Sequence, residues 1–273
     1  MTPMQEAEKA VATGDVERLA ELLQAHPELA KGHLTTNPVT LLYDIGVNSV
    51  VRKYPNAVDS ARLLIEAGAE VDDPLGSAAC VGAIPIIDLL VEHGAKVNGT
   101  DPWTPVEEAL YWGMLAGAKR LVELGAEIRS LRAAAGLGAM TELEEFFDGD
   151  TLSNSAGSIL SPFGDGVKGH GSTDAQALLD NALAVASTNN QVDAAAALLD
   201  RGADVSSYPL GLHHGGTALH AAAWQGHEAV ATLLLERGAD RAAPDTSEDR
   251  STAADWASWN GFPDLAKLLQ PPT

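Results

Sequence analysis

Five times along the chain an apolar helical run closes on the same short exit: Leu63 to Val71 (LLIEAGAEV), Leu89 to Val97 (LLVEHGAKV), Leu121 to Ile128 (LVELGAEI), Leu198 to Val205 (LLDRGADV) and Leu234 to Asp240 (LLERGAD). The glycines are Gly68, Gly94, Gly125, Gly202 and Gly238. They recur at intervals of roughly thirty residues, the solenoid range, except that the gap from Gly125 to Gly202 has room for two units. A degenerate copy, Leu131 to Phe147, lies inside that gap. In the most complete copy, Gly216 to Arg241, Ala221 to Ala223 let a first helix sit close to its neighbours. Gly226 ends that helix, and Leu233 to Leu235 give a second helix its buried side. A helix pair this short cannot bury its apolar face alone, so the copies must stack.

Thr217-Ala-Leu219-His220 and Gly226-His227 resemble the T-P-L-H and G-H signatures of the ankyrin repeat family. The same frame, with drifting letters, places Thr104-Pro105 before Gly113, Thr252 before Gly261, and Asp73-Pro74-Leu75 before Gly82. The histidine place is taken by Tyr43, Gly76, Glu107, Arg132 and Asp255 in other units. The resemblance covers most of the chain and implies an all-α ankyrin solenoid of about eight helix-turn-helix units. It also implies that Thr217 and His220 fix a helix start by hydrogen bonding, and that ligands lie in a concave groove of first helices and turn tips.

On that frame one continuous domain is expected. It has an N-terminal cap over 4–36, then repeats over 37–72, 73–98, 99–129 and 130–148. A Gly/Ser-rich insertion over 149–173 follows, then repeats over 174–206 and 207–242 and a C-terminal cap over 243–273. The insertion is too long for a turn between repeats and is expected to be either a disordered excursion or a lid. Within it Gly164-Asp-Gly166-Val-Lys-Gly169 spells G-x-G-x-x-G, but no strand precedes it and no helix opens at its last glycine. Dinucleotide binding is therefore rejected, and no cofactor is expected.

The chain carries 38 acidic and 17 basic side chains, a formal net charge of −21. Such a field repels phosphate backbones and anionic membrane surfaces, so neither a nucleic acid nor a membrane is an expected partner. Arg52, Lys53 and Tyr54 form the one local basic spot and read as a solvated loop. The single Cys80 suits a reducing compartment. The charged opening lacks the apolar run of a signal peptide, and a cytoplasmic location is expected.

The candidate site residues follow from the groove that the resemblance implies. Tyr43, Trp103, Tyr111, Trp112, His220, Trp224, Trp256 and Trp259 are the expected ligand-binding residues. All five tryptophans fall on first helices or turn tips, where rigid aromatic area anchors partners at low entropic cost. The pairs just before the turn glycines, Tyr111-Trp112, Trp224-Gln225 and Trp259-Asn260, with Cys80-Val81 and Thr188-Asn189, are expected to face the groove. Just after the histidine place, where the family is normally apolar, stand Asp44 and Glu108. A carboxylate on that side is costly unless it is paired or wet, and its pKa can rise towards acid–base use. Glu107 and Asp255 sit in first helical turns, where a capping bond accounts for them. His213, His214 and His220 have no cysteine or carboxylate at ligand spacing, so no metal is expected.

Two functions fit this reading. One is a binding module that holds a protein segment or a cationic or small ligand in an aromatic, acidic groove. The other is a small-molecule enzyme of isomerase, lyase or hydrolase type. It would use Asp44, Glu108, His213 and His214 as acid–base groups under the 149–173 loop.

Overall fold

The computed structural model describes residues 1–100 and 102–271, so Pro272 and Thr273, at the end of the expected C-terminal cap, lie outside the described residues. The chain divides into two compact units, Met1–Glu127 and Ile128–Thr273. Both are built from short antiparallel helix pairs, and among the described residues the fold is all-α apart from one hairpin of two two-residue strands.

In the first unit the pairs are α1 (Pro3–Thr13) with α2 (Val16–Ala25), α3 (Leu41–Val51) with α4 (Ala57–Glu66), α5 (Asp72–Ala79) with α6 (Ile84–Glu92), and α7 (Pro105–Tyr111) with α8 (Leu115–Glu123). First helices pack in one row, α1 on α3 on α5 on α7, and second helices in another, α2 on α4 on α6 on α8. Leu19, Leu41, Leu64, Leu75, Leu90, Leu110 and Leu121 are fully buried by this stacking. Close approach is needed between α3 and α5, where Ser77 Oγ donates to the carbonyls of Pro74 (2.8 Å) and Tyr43 (3.0 Å).

The second unit pairs α9 (Leu131–Leu137) with α10 (Met140–Glu145), α11 (Ala175–Thr188) with α12 (Val192–Asp200), α13 (Ala218–Gln225) with α14 (Glu228–Glu236), and α15 (Ala253–Trp259) with α16 (Pro263–Leu269). Here α9, α11, α13 and α15 form the first-helix row, and α10, α12 and α14 the second. Ala134, Ala182, Leu183, Leu198, Ala222 and Leu234 belong to one continuous core. The alanines of the first helices carry only a methyl group, too small to hold the neighbouring helix away, which is why such short helices can share one core.

Helix starts are set by side-chain caps. Thr104 with Glu107, and Thr252 with Asp255, form reciprocal capping boxes. Thr40 caps α3 and Ser130 caps α9. Two glycines show different reasons for being glycine. Gly226 has φ 76°, and a Cβ there would meet the Phe262 ring at 2.5 Å. Gly238 has φ 94° with nothing within 4 Å of a built Cβ, so backbone conformation alone selects it.

The 149–173 insertion is packed. A hairpin leads into it, β1 (Phe147–Asp148) at the end of the preceding repeat against β2 (Thr151–Leu152). Ile159 is 0% exposed and Ala156 is buried, both within the core of the second unit. The Ile159 N–H donates to the Ser172 carbonyl at 2.8 Å, closing the segment on itself. Arg132, at the histidine place of α9, reaches further than histidine and donates to the carbonyls of Ser158 (3.2 Å) and Leu160 (3.3 Å). Gly164–Gly166 is a single 3-10 turn with no helix following it. Among the described residues no helix is long and apolar enough to cross a membrane.

Candidate functional site

The second unit carries an aromatic cluster on its first-helix row. His214 packs edge-on against Trp256 with ring centroids 5.5 Å apart, and His220 does so at 5.0 Å. Trp224 meets the same indole at 5.7 Å. His213 stacks edge-on with His214 at 5.6 Å and with Phe163 of the insertion at 5.5 Å. Trp256 is therefore the centre of the cluster and is only 6% exposed. Its Nε1–H donates to Asp245 Oδ2 at 2.8 Å. Trp224 and Trp259, by contrast, are 50% and 63% exposed. Each stands two residues before its turn glycine, so they occupy the same place on adjacent helices α13 and α15.

His220 is part of the frame. Its Nδ1 lies 3.2 Å from the Thr217 N–H, which can only donate, so Nδ1 is the acceptor and Nε2 carries the proton. That Nε2–H donates across to the Ser251 carbonyl at 3.1 Å. The role implied for Thr217 and His220 is thus the geometry observed. Burial lowers the His220 pKa, opposed by the Ser251 carbonyl and more weakly by Asp245 and Asp255. Burial, with smaller contributions from His213 and His220, pushes His214 down to about 4. Burial also lowers His213. His214 is therefore uncharged at neutral pH, and burial disfavours charge on all three imidazoles.

Asp245 was not singled out by sequence. Its Oδ1 accepts from the backbone N–H of Ser247 (3.0 Å) and Ser251 (3.2 Å) while Oδ2 holds Trp256. It ties the loop between α14 and α15 to the aromatic cluster. The signal was present as an Asp-Thr-Ser turn, of the kind in which an Asp side chain accepts from the backbone two residues on.

In the first unit the expected residues gather around Glu108. Its Oε1 accepts from Trp112 Nε1–H at 2.8 Å, and its Oε2 accepts from Trp103 Nε1–H. Tyr111 lies edge-on to both indoles, 5.6 Å from Trp103 and 5.2 Å from Trp112. Desolvation raises the Glu108 pKa, and the two indole hydrogen bonds only partly oppose it. Burial and the nearby Glu108 push the Cys80 thiol up to about 11, so it is a poor nucleophile at neutral pH. Tyr43 is half-buried, and burial raises its pKa, with Asp73, Cys80 and Glu108 adding to the effect.

Several candidates are committed to structure. Asp44 accepts from Asn48 Nδ2 (2.8 Å) and Tyr54 Oη (3.1 Å), pinning the loop after α3. Glu107 and Asp255 are the capping partners noted above. Tyr111, His220 and Trp256 are buried in the packing. Thr188 and Asn189 are buried as well, their side chains turned back onto the carbonyls of Ala184 and Val185. Trp224 and Trp259 are the exposed members. Trp103, Trp112, Glu108 and His214 are half-buried, and His213 is exposed beside Phe163. Among the described residues no three His, Cys, Asp or Glu side chains are grouped so as to hold a metal ion.

Residues 168–245 match the family model described as ankyrin repeats (3 copies). Among solved structures the chain is similar to the crystal structure of the human ASB11 ankyrin repeat domain, at 22% identity over 100% of each chain and with a TM-score of 0.44. No curated protein matches the chain.

Proposed function

We propose, from the match of residues 168–245 to ankyrin repeats and the helix pairs stacked through both units, that the chain is a non-catalytic binding module built of ankyrin repeats whose second unit docks a protein segment across Trp224 and Trp259. The observation that carries this is the exposure of two large indoles at equivalent places on adjacent first helices. Trp224 rests on the buried Trp256, so the platform is held rigid from below. Rigid aromatic area of this kind is characteristic of interface hot spots. The formal charge of −21 favours segments that carry lysine or arginine.

The acid–base reading has less support. Asp44 is held by Asn48 and Tyr54, and Glu108 has an indole N–H on each oxygen. The test is a peptide-display selection on the full chain alone, after which each selected peptide is measured on the Trp224→Ala, Trp259→Ala double variant. Peptides that bind the wild type and lose about a hundred-fold or more in affinity on the double variant are expected, since each hot-spot truncation costs about 2 kcal/mol. Selected peptides that bind both proteins equally would overturn the proposal.

A further inference from the structure

The repeat frame has a vacancy in the first unit. Gly76 stands six residues before its turn glycine Gly82, the place that His220 holds before Gly226. Where His220 fills the space between its helix and the next loop, Gly76 has nothing within 4 Å of a built Cβ. The space left is a cleft of about 240 Å³, bounded by Asp72, Asp73 and Gly76 of α5 and by Gly99, Trp103, Thr104 and Glu108 of the following loop and α7.

The walls of this cleft have a definite chemistry. Asp72 is already neutralised, its Oδ2 lying 3.2 Å from Lys96 Nζ. Asp73 is exposed, and among the described residues neither it nor Glu108 is paired with a lysine or arginine. Trp103 and Trp112 anchor the Glu108 carboxylate through their N–H edges. The cleft therefore combines an indole wall, two carboxylates without a counter-cation, and room for a side chain that the repeat itself omits. An ammonium or guanidinium group satisfies both requirements, by ion pairing and by contact with the aromatic surface.

We propose that this vacated histidine place is a receptor for a lysine or arginine side chain of a protein partner, seated between Asp73, Glu108 and Trp103. The inference rests on the binding-module reading but uses a different surface from Trp224 and Trp259. A cation there also favours the ionised form of Glu108, so binding lowers the pKa of this carboxylate and weakens below it.

The test uses the full chain with three probes: acetyl-Gly-Lys-Gly-amide, its arginine counterpart and its uncharged norleucine counterpart. The readout is the indole N–H resonances of Trp103 and Trp112 in a titration. Saturable shifts are expected with the lysine and arginine peptides and not with norleucine. Asp73→Asn, at an exposed position, should weaken binding about three- to five-fold. Gly76→His restores the frame and fills the cleft, so it should abolish the shifts while the unfolding transition stays at or above that of the wild type. Gly76→Ala leaves most of the space and is the control that keeps binding.

Equal response to norleucine, full binding by a folded Gly76→His variant, or no saturable shift would each overturn the proposal. Selected peptides that need Trp224 and Trp259 would stand regardless of that outcome. Conversely, lysine binding that persists in the Trp224→Ala, Trp259→Ala variant would separate the two surfaces.

Discussion

Gly238 and His214 show how single residues set the limits of this fold. At Gly238 no neighbour excludes a side chain, and only φ 94° does. Gly238→Ala should therefore cost about 1–2 kcal/mol in urea unfolding, the penalty of forcing an L residue into that region. A loss near zero would show that the exit turn relaxes freely. At His214 the folded pKa of about 4 lies below the ordinary value of 6.5. The unfolded chain then binds more protons between those values, so stability is full above pH 6.5 and declines as pH falls towards 4. His213, His220 and His227 are shifted in the same direction, each chiefly by burial. At about 1.4 kcal/mol per unit, His214 contributes up to about 3 kcal/mol of this decline. Unfolding free energies measured from pH 7 to 4 should fall, and His214→Asn should flatten the curve. An unchanged slope in that variant would remove His214 as a cause.

At the scale of elements, helix starts and stops were legible because each is written in adjacent letters. Thr104 with Glu107, Thr252 with Asp255, and the glycines Gly113, Gly226 and Gly261 are local devices, and local devices survive reading one residue at a time. The turn after α11 uses Asn190 at φ 56° where its counterparts use glycine, so its marker is easily passed over. The insertion was less legible. Its anchors, Ala156, Ile159 and Ser161, are scattered among glycines and serines with no helical or strand period. Composition alone suggested an excursion or lid, whereas the packing of the segment comes from tertiary contact with the core and with Arg132. Ile159→Ala should cost about 2–4 kcal/mol, as a buried isoleucine does in a packed core. It should also open 156–172 to limited proteolysis. A loss below 0.5 kcal/mol would mean that the segment is dispensable.

For the whole chain, the repeat of helix pairs was readable from recurrence, because several copies in one register constrain one another even when individual letters drift. The candidate site was readable only in part. Which tryptophans are sealed and which are presented depends on helix rotation and on partners far off in sequence. Trp256 is buried because Asp245 and the ring of His214 cover it, whereas Trp259, one turn on, is exposed. Asp44 and Glu108 share a place in the frame, yet one is taken by Tyr54 and the other by two indoles. The proposed function draws on such departures from the repeat, since a scaffold does not by itself specify a role.

The central claim is that the second unit binds through its two exposed indoles. Five tryptophans give five separately resolvable indole N–H resonances in a nitrogen–proton correlation spectrum of the full chain. Titration with a selected peptide should shift those of Trp224 and Trp259 together and in proportion to occupancy, with Trp256 responding weakly from behind. Saturable binding that leaves the Trp224 and Trp259 resonances unmoved would contradict the account.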